Sequence, residues 1–284
     1  MSLSILTNIS AMNTQQNLLK SSNAVSQSMA RLSSGLRINT AADDAAGYAI
    51  SEGLTSQVNG LNQASMNTND AVSMVQTASS SLTNVQNMLQ RVYELGVQYN
   101  NGSNSTTDQA DIQSEVNQLT QEINRQTSSS NFNGLNLLNG SAAGSGTVTF
   151  QVGANAGDTL SATFSSVEGS SGLGGLGYSW GAAATGGTVI DLSQSSALTS
   201  LTDAINNISS MAATLGAVQN RLQYTSDSIS STEQNLSASN SQIKDVNMAQ
   251  EMTKMTQQQI LEQAGTSMLA QANAQPQLIL KLLG

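Results

Sequence analysis

A chain of 284 residues with 9 Lys and Arg against 18 Asp and Glu carries a formal charge of −9, and its scattered cations exclude the clustered basic surface that nucleic acid requires. It has neither cysteine nor histidine, which removes disulfides, Cys-based metal sites and the commonest general base, and weighs against an enzyme. Aromatic residues are 3% and hydrophobic residues 38%, little bulk for a large globular core but enough for the narrow apolar seam of a helical rod or bundle.

Residues 1–34 place Leu3, Leu6, Ile9, Met12, Leu18, Leu19, Val25, Met29 and Leu32 at loose helical spacing, and Lys20 is the single charge among the first thirty residues. Such a segment has too little apolar surface to fold alone and too few charges to be well solvated, which predicts ordering on contact with partner chains. It lacks the basic leader and continuous apolar run of a secretory signal, and no stretch of the sequence is long and apolar enough to span a bilayer. Export would therefore use a route independent of a cleaved signal peptide.

The string RLSSGLRINTAADDAAG over residues 31–47 follows. Gly35 fits the left-handed position that ends a helix, and Thr40 with Asp43 three residues later fits a capping box that opens the next. The adjacent carboxylates Asp43 and Asp44 are better explained by exposed backbone N–H groups at a helix start than by catalysis or calcium. This string resembles the N-terminal signature of bacterial flagellin, where it joins an inner-core helix to a long rod helix.

From Asp43 to about Asn100 one apolar seam runs through Leu54, Val58, Leu61, Ser65, Thr68, Val72, Val75, Ser79, Leu82, Val85, Leu89, Val92, Gly96 and Tyr99, in alternating steps of three and four. At about 1.5 Å per residue this helix would extend roughly 85 Å, so it must lie against other long helices. GLNQASMNTNDA at 60–71 and LQRVYELGVQ at 89–98 continue the flagellin resemblance. The Asn101-Gly102 turn signal ends the helix, and Ile112, Val116, Leu119 and Ile123 mark a second one packing back along it. NFNGLNLLNG at 131–140, with two Asn-Gly pairs around short apolar runs, again looks like flagellin.

Composition changes near Ser141. Residues 147–152 and 159–164 alternate in the two-residue rhythm of strands around GANAGD, which predicts a β-hairpin. Residues 167–197 are dense in Gly and Ser, hold the single Trp180 as a local packing anchor, and offer one short strand at Thr188 to Leu192. From Leu201 the heptad returns through Ile205, Ile208, Ala212, Leu215, Val218, Leu222, Thr225, Ile229, Thr232, Leu236, Ser239, Ile243 and Val246, with one irregular step between Ala212 and Val218. This segment is the antiparallel partner of the long helix. LGAVQNRL at 215–222 and the charge-poor QAGTSMLAQANAQP at 263–276 are further close matches to flagellin. Met248, Met252, Met255 and Met268 read as adaptable packing residues rather than a soft-metal box, and Pro276, the only proline, as an interruption or kink of the last helix.

The expected architecture is mainly α: a long antiparallel helical rod or coiled-coil bundle, a small β-hairpin region and a short Gly/Ser-rich outer segment. Its parts are 1–42, an N-terminal inner-core helix and connector; 43–140, the N-terminal part of the rod; 141–197, hairpin and outer region; 198–246, the C-terminal rod helix; and 247–284, the C-terminal inner-core helix. The rod seam rests on Leu54, Val58, Leu61, Val72, Val75, Leu82, Leu89, Leu215, Leu222, Ile229 and Leu236. Polymerisation is expected of Leu3, Leu6, Leu18, Leu32, Ile260, Leu269, Leu278 and Leu282.

The resemblance implies a structural, non-enzymatic filament subunit without cofactor or catalytic residue. It would be extracellular in the flagellum, and its terminal helices would fold on assembly into a helical homopolymer. It implies a type III export apparatus, an export chaperone at the C-terminal helices, cap and hook-junction proteins, and an animal innate immune receptor whose contact positions match Arg91, Leu95 and Glu115. Tyr93 and Gly96 depart from the Arg and Ala of many relatives. The alternative is a hook-filament junction protein, which shares terminal coiled coils but not these rod motifs; a soluble coiled-coil chaperone or adhesin would instead be helical and oligomeric as purified.

Overall fold

The computed structural model describes residues 8–167, 190–194 and 196–283. Their order is α1 (Ile9–Ser34), α2 (Ala45–Tyr99), α3 (Thr106–Ser129), β1 (Asn131–Phe132), β2 (Leu135–Asn136), a 3-10 turn at Ala142–Gly144, β3 (Thr147–Gln151), β4 (Thr159–Thr163), α4 (Ala197–Lys244) and α5 (Met248–Leu283). The fold is mainly α with two small antiparallel sheets. No described helix is long and apolar enough to cross a membrane. Two compact units form, Met1–Gln57 with Gln234–Gly284, and Val58–Glu233.

The second unit holds the hydrophobic core, built from α2, α3, the hairpin and α4. Leu82, Val85, Leu89 and Val92 of α2 are fully or almost fully buried, as are Leu201, Ile208 and Leu222 of α4. The two helices run antiparallel here: the Gln86 amide donates to Ser209 Oγ at 3.1 Å, and Gly96 faces Leu198 and Leu201. The buried stripe of α2 passes through Ala64, Ala71 and Ala78, while the expected seam positions Ser65, Val72 and Ser79 are half-buried beside it. Alanines offer the least side chain at the points of closest approach, and Met74 and Leu95 join them because α2 is covered on more than one side. A heptad rule, which assumes one partner, misses this width.

Ser105 caps α3 by accepting from the Asp108 N–H while the Asp108 carboxylate accepts from the Ser105 N–H at 2.9 Å. The same contact lowers the Asp108 carboxyl below its ordinary range. Ile112, Val116 and Ile123 are buried as their spacing predicts, with Leu119 half-buried. Between β1 and β2, Asn133 and Gly134 both adopt positive φ, 50° and 80°, the requirement of a two-residue type I′ turn. β3 and β4 pair from Thr147↔Thr163 to Gln151↔Thr159, and Leu160, Ala162 and Phe164 alternate into the core. The hairpin sits on α2, where Asn67 Nδ2 donates to the Gln151 carbonyl at 3.0 Å and the Cβ-less Gly60 admits Ala154.

Two expectations change. Residues 188–189 of the short strand, like Trp180, lie outside the described residues, and 190–192 form no strand. The Gln113 side chain takes the part of a neighbouring strand instead: its Nε2 donates to the Ile190 carbonyl at 2.6 Å and its Oε1 accepts from Leu192 N–H at 3.1 Å. α2 begins at Ala45, one turn later than a Thr40 cap requires, because Asp44 Oδ1 accepts from Gly47 N–H at 3.0 Å and is the true cap. Asp43 instead closes a turn, with Oδ2 accepting from the Thr40 N–H and hydroxyl.

Candidate functional site

In the first unit, the termini meet as two antiparallel helices. Ser28 of α1 donates to Glu251 of α5 at 2.6 Å, Leu18 lies against Gly265, and Asn8 at the start of α1 reaches Ala272. Next to this pair, Gly35 ends α1 at φ 73°, accepts from Val246 N–H and leads into a connector whose Arg37 and Ile38 N–H groups donate to the Lys244 carbonyl. Arg37 also reaches the Ile243 carbonyl, Lys244 pairs with Glu52 at 3.1 Å, and Asn240 donates to Thr55. Asp43 receives Gln27 at 3.2 Å and stands 3.6 Å from Arg31. Hydrogen bonds from the Thr40 backbone, and then from Gln27, lower the Asp43 carboxyl below its ordinary range.

The junction is richly bonded, but among the described residues the helix pair beyond it fully buries no apolar side chain. Among the described side chains of α1 and α5, the buried ones are Ser28 and Glu251, both polar. Ile9, Met12, Leu19 and Met29 of α1 are exposed, as are Met252, Ile260, Leu261 and Met268 of α5, with Ile9 63% and Ile260 61% exposed. A surface this rich in large apolar side chains marks an interaction site, and two helices that bury so little contribute little to holding each other.

Of the expected polymerisation residues, Leu18, Leu32 and Leu269 are half-buried and Ile260 is exposed. Leu3 and Leu6 lie outside the described residues, as do the side chains of Leu278 and Leu282. The methionines expected to pack, Met248, Met252 and Met268, are exposed, and Met255 is half-buried. Spacing finds apolar residues on a helix without saying whether the chain's own fold covers them. Of the interruption or kink expected at Pro276, there is no interruption: α5 continues through it to Leu283.

In the second unit the structure separates the three matched receptor positions. Arg91 Nε and Nη2 both donate to Glu115 Oε1, at 3.0 and 2.9 Å, and Nη1 donates to Glu94 at 3.3 Å. These contacts, Glu115 first, raise the already high Arg91 pKa, and half-exposed ion pairs of this kind add little to stability because solvent screens them. Leu95, the third of these positions, is 2% exposed and belongs to the core. One turn beyond Arg91 on the same helix, its side chain is claimed by the bundle. Tyr93 and Val97 are exposed beside it.

The bacterial flagellin N-terminal helical region matches residues 5–143, and the bacterial flagellin C-terminal helical region matches 198–283. The chain belongs to the flagellin family. A flagellin of Bacillus subtilis (strain 168) is 41% identical over 300 residues, covering 97% of this chain and 98% of the relative. The flagellar filament 33 kDa core protein of Treponema phagedenis is 42% identical over 295 residues with the same shares covered. A solved Bacillus cereus flagellin overlaps 62% of this chain and 94% of that one at 28% identity and a TM-score of 0.49. A flagellin is a structural subunit of the flagellar filament, so this chain self-polymerises as a component of the extracellular flagellum. The relatives named are flagellar filament proteins, and no observation favours the hook-junction alternative.

Proposed function

We propose that this flagellin polymerises by completing its α1–α5 pair against neighbouring copies, so that the termini become fully ordered only at the growing filament end. The observation that carries this reading is the contrast between the second unit's core and a terminal pair whose buried described side chains are Ser28 and Glu251 alone. Burying an exposed Ile, Leu or Met side chain is worth about 1.5–3 kcal/mol, so several such residues per subunit offset the cost of ordering two helices. A repeated contact between different faces yields a helical polymer when its rotation does not close into a ring.

In this reading residues 1–42 and 247–284 are the assembly segments, and 43–140 with 198–246 form the rod. The apolar face of α5 suits an export chaperone, which would cover it before type III export. Cap and hook-junction proteins would meet the same termini at the filament's two ends. The exposed Arg91, Glu94 and Glu115 cluster suits an innate immune receptor, with Leu95 acting from beneath by fixing the helix face.

Purified monomer seeded with filament fragments tests the reading. Electron microscopy should show elongation, and circular dichroism should show helix gained in proportion to it. A chain that fails to elongate while its isolated ends are fully ordered sinks the proposal.

A further inference from the structure

Proline at position 276 supplies no N–H, so the helix cannot bond the carbonyl four residues earlier, that of Ala272. An orphaned carbonyl in a helix interior ordinarily bends the helix or is met by an outside donor. α5 runs on without a break to Leu283, and a donor is present: Asn8 Nδ2 lies 2.8 Å from the Ala272 oxygen. Asn8 is also the cap of α1, its Oδ1 accepting from Ala11 N–H at 3.1 Å. The two contacts fix the amide orientation, since a carbonyl needs the NH2 and an N–H needs the oxygen. One side chain therefore opens one helix and repairs the other.

We propose that Asn8 is a positioning residue for polymerisation: its amide sets the register of α1 against α5 by supplying the hydrogen bond that Pro276 withholds. The rest of the pair offers little other register information. Leu18 against Gly265 is an apolar contact that tolerates sliding, and Ser28 with Glu251 pins only the end near the connector. Asn8 with Ala272 pins the opposite end. Two fixed points on an antiparallel pair define which apolar side chains stand together on the face presented to the next subunit. The inference rests on the assembly reading above and names the residue that aligns its surface.

The test uses full-length chains and the critical concentration for seeded elongation. Asn8→Ser and Asn8→Asp keep a capping oxygen but lose the amide donor, Asp having no hydrogen and Ser being too short to span the gap. Each should raise the critical concentration on the order of tenfold. Adding Pro276→Ala restores the helix's own N–H, and in that background the penalty for either Asn8 substitution should shrink to within about twofold, the signature of two residues acting on one carbonyl. Comparing Asn8 variants within each background removes any general gain in helix propensity from Pro276→Ala. Unchanged elongation by both Asn8 variants overturns the proposal, and so does a penalty equally large in both backgrounds, which would show that the Asn8 amide acts on something other than the Ala272 carbonyl. An unsubstituted chain that does not elongate overturns the assembly reading and this one together, and is recognised before any variant is compared.

Discussion

Asp43 shows how much one side chain can hold. It accepts from the Thr40 and Asn39 N–H groups, the Thr40 hydroxyl and the Gln27 amide, and faces Arg31. All of these favour the carboxylate, so its pKa is lower in the folded chain than in the unfolded one. A depressed carboxyl contributes stability that is fully present above the unfolded value of about 3.9 and is lost as pH falls through the lower folded value. Asp43→Asn should therefore weaken amide protection around the α1–α2 connector at pH 7, and the difference from the parent should vanish toward pH 2. Hydrogen exchange over that range checks it; a difference that persists at pH 2 would point to packing instead of charge. The sequence revealed that residues 40–44 open a helix, but not which acid caps it. That choice depends on Gln27 and Arg31, supplied by a different helix.

Among elements, α2 and α5 present opposite cases of the same pattern. Both carry apolar residues at helical spacing, yet Leu89 is fully buried and Ile260 is 61% exposed. Leu89→Ala should lower the monomer's unfolding free energy by about 2–5 kcal/mol, the cost of lost burial plus a cavity. Ile260→Ser should leave monomer unfolding within about 0.5 kcal/mol and raise the critical concentration for elongation instead. Denaturant unfolding and seeded growth, run on both variants, separate the two roles. Sequence periodicity located every described helix because it is local information. It misjudged the width of the α2 stripe, the Gln113 clamp on Ile190 and Leu192, and the passage of α5 through Pro276, each of which depends on residues far away in the chain. The turns were legible for the opposite reason: positive φ at Gly35, Asn133 and Gly134 is a demand that the residue itself answers.

At the scale of the whole molecule, the main cluster of buried hydrophobic residues among those described lies within Val58–Glu233, with Ile38 of the first unit buried apart from it. Deleting residues 252–284 should abolish filament formation while leaving the cooperative thermal transition of that unit in place. Scanning calorimetry with electron microscopy decides the matter, and simultaneous loss of both would show that the units are not energetically separate.

The apolar side chains left uncovered on α1 and α5 also have a calorimetric consequence. If neighbouring copies cover them, elongation removes apolar surface from water and orders helix in one step, and both leave a large negative change in heat capacity. The heat of subunit addition should then become steadily more exothermic on warming, and titration calorimetry of monomer into seeds at several temperatures measures the slope. A slope near zero would mean that those side chains stay wet in the filament. A steep one would mean that growth at the tip carries the thermal signature of a folding reaction.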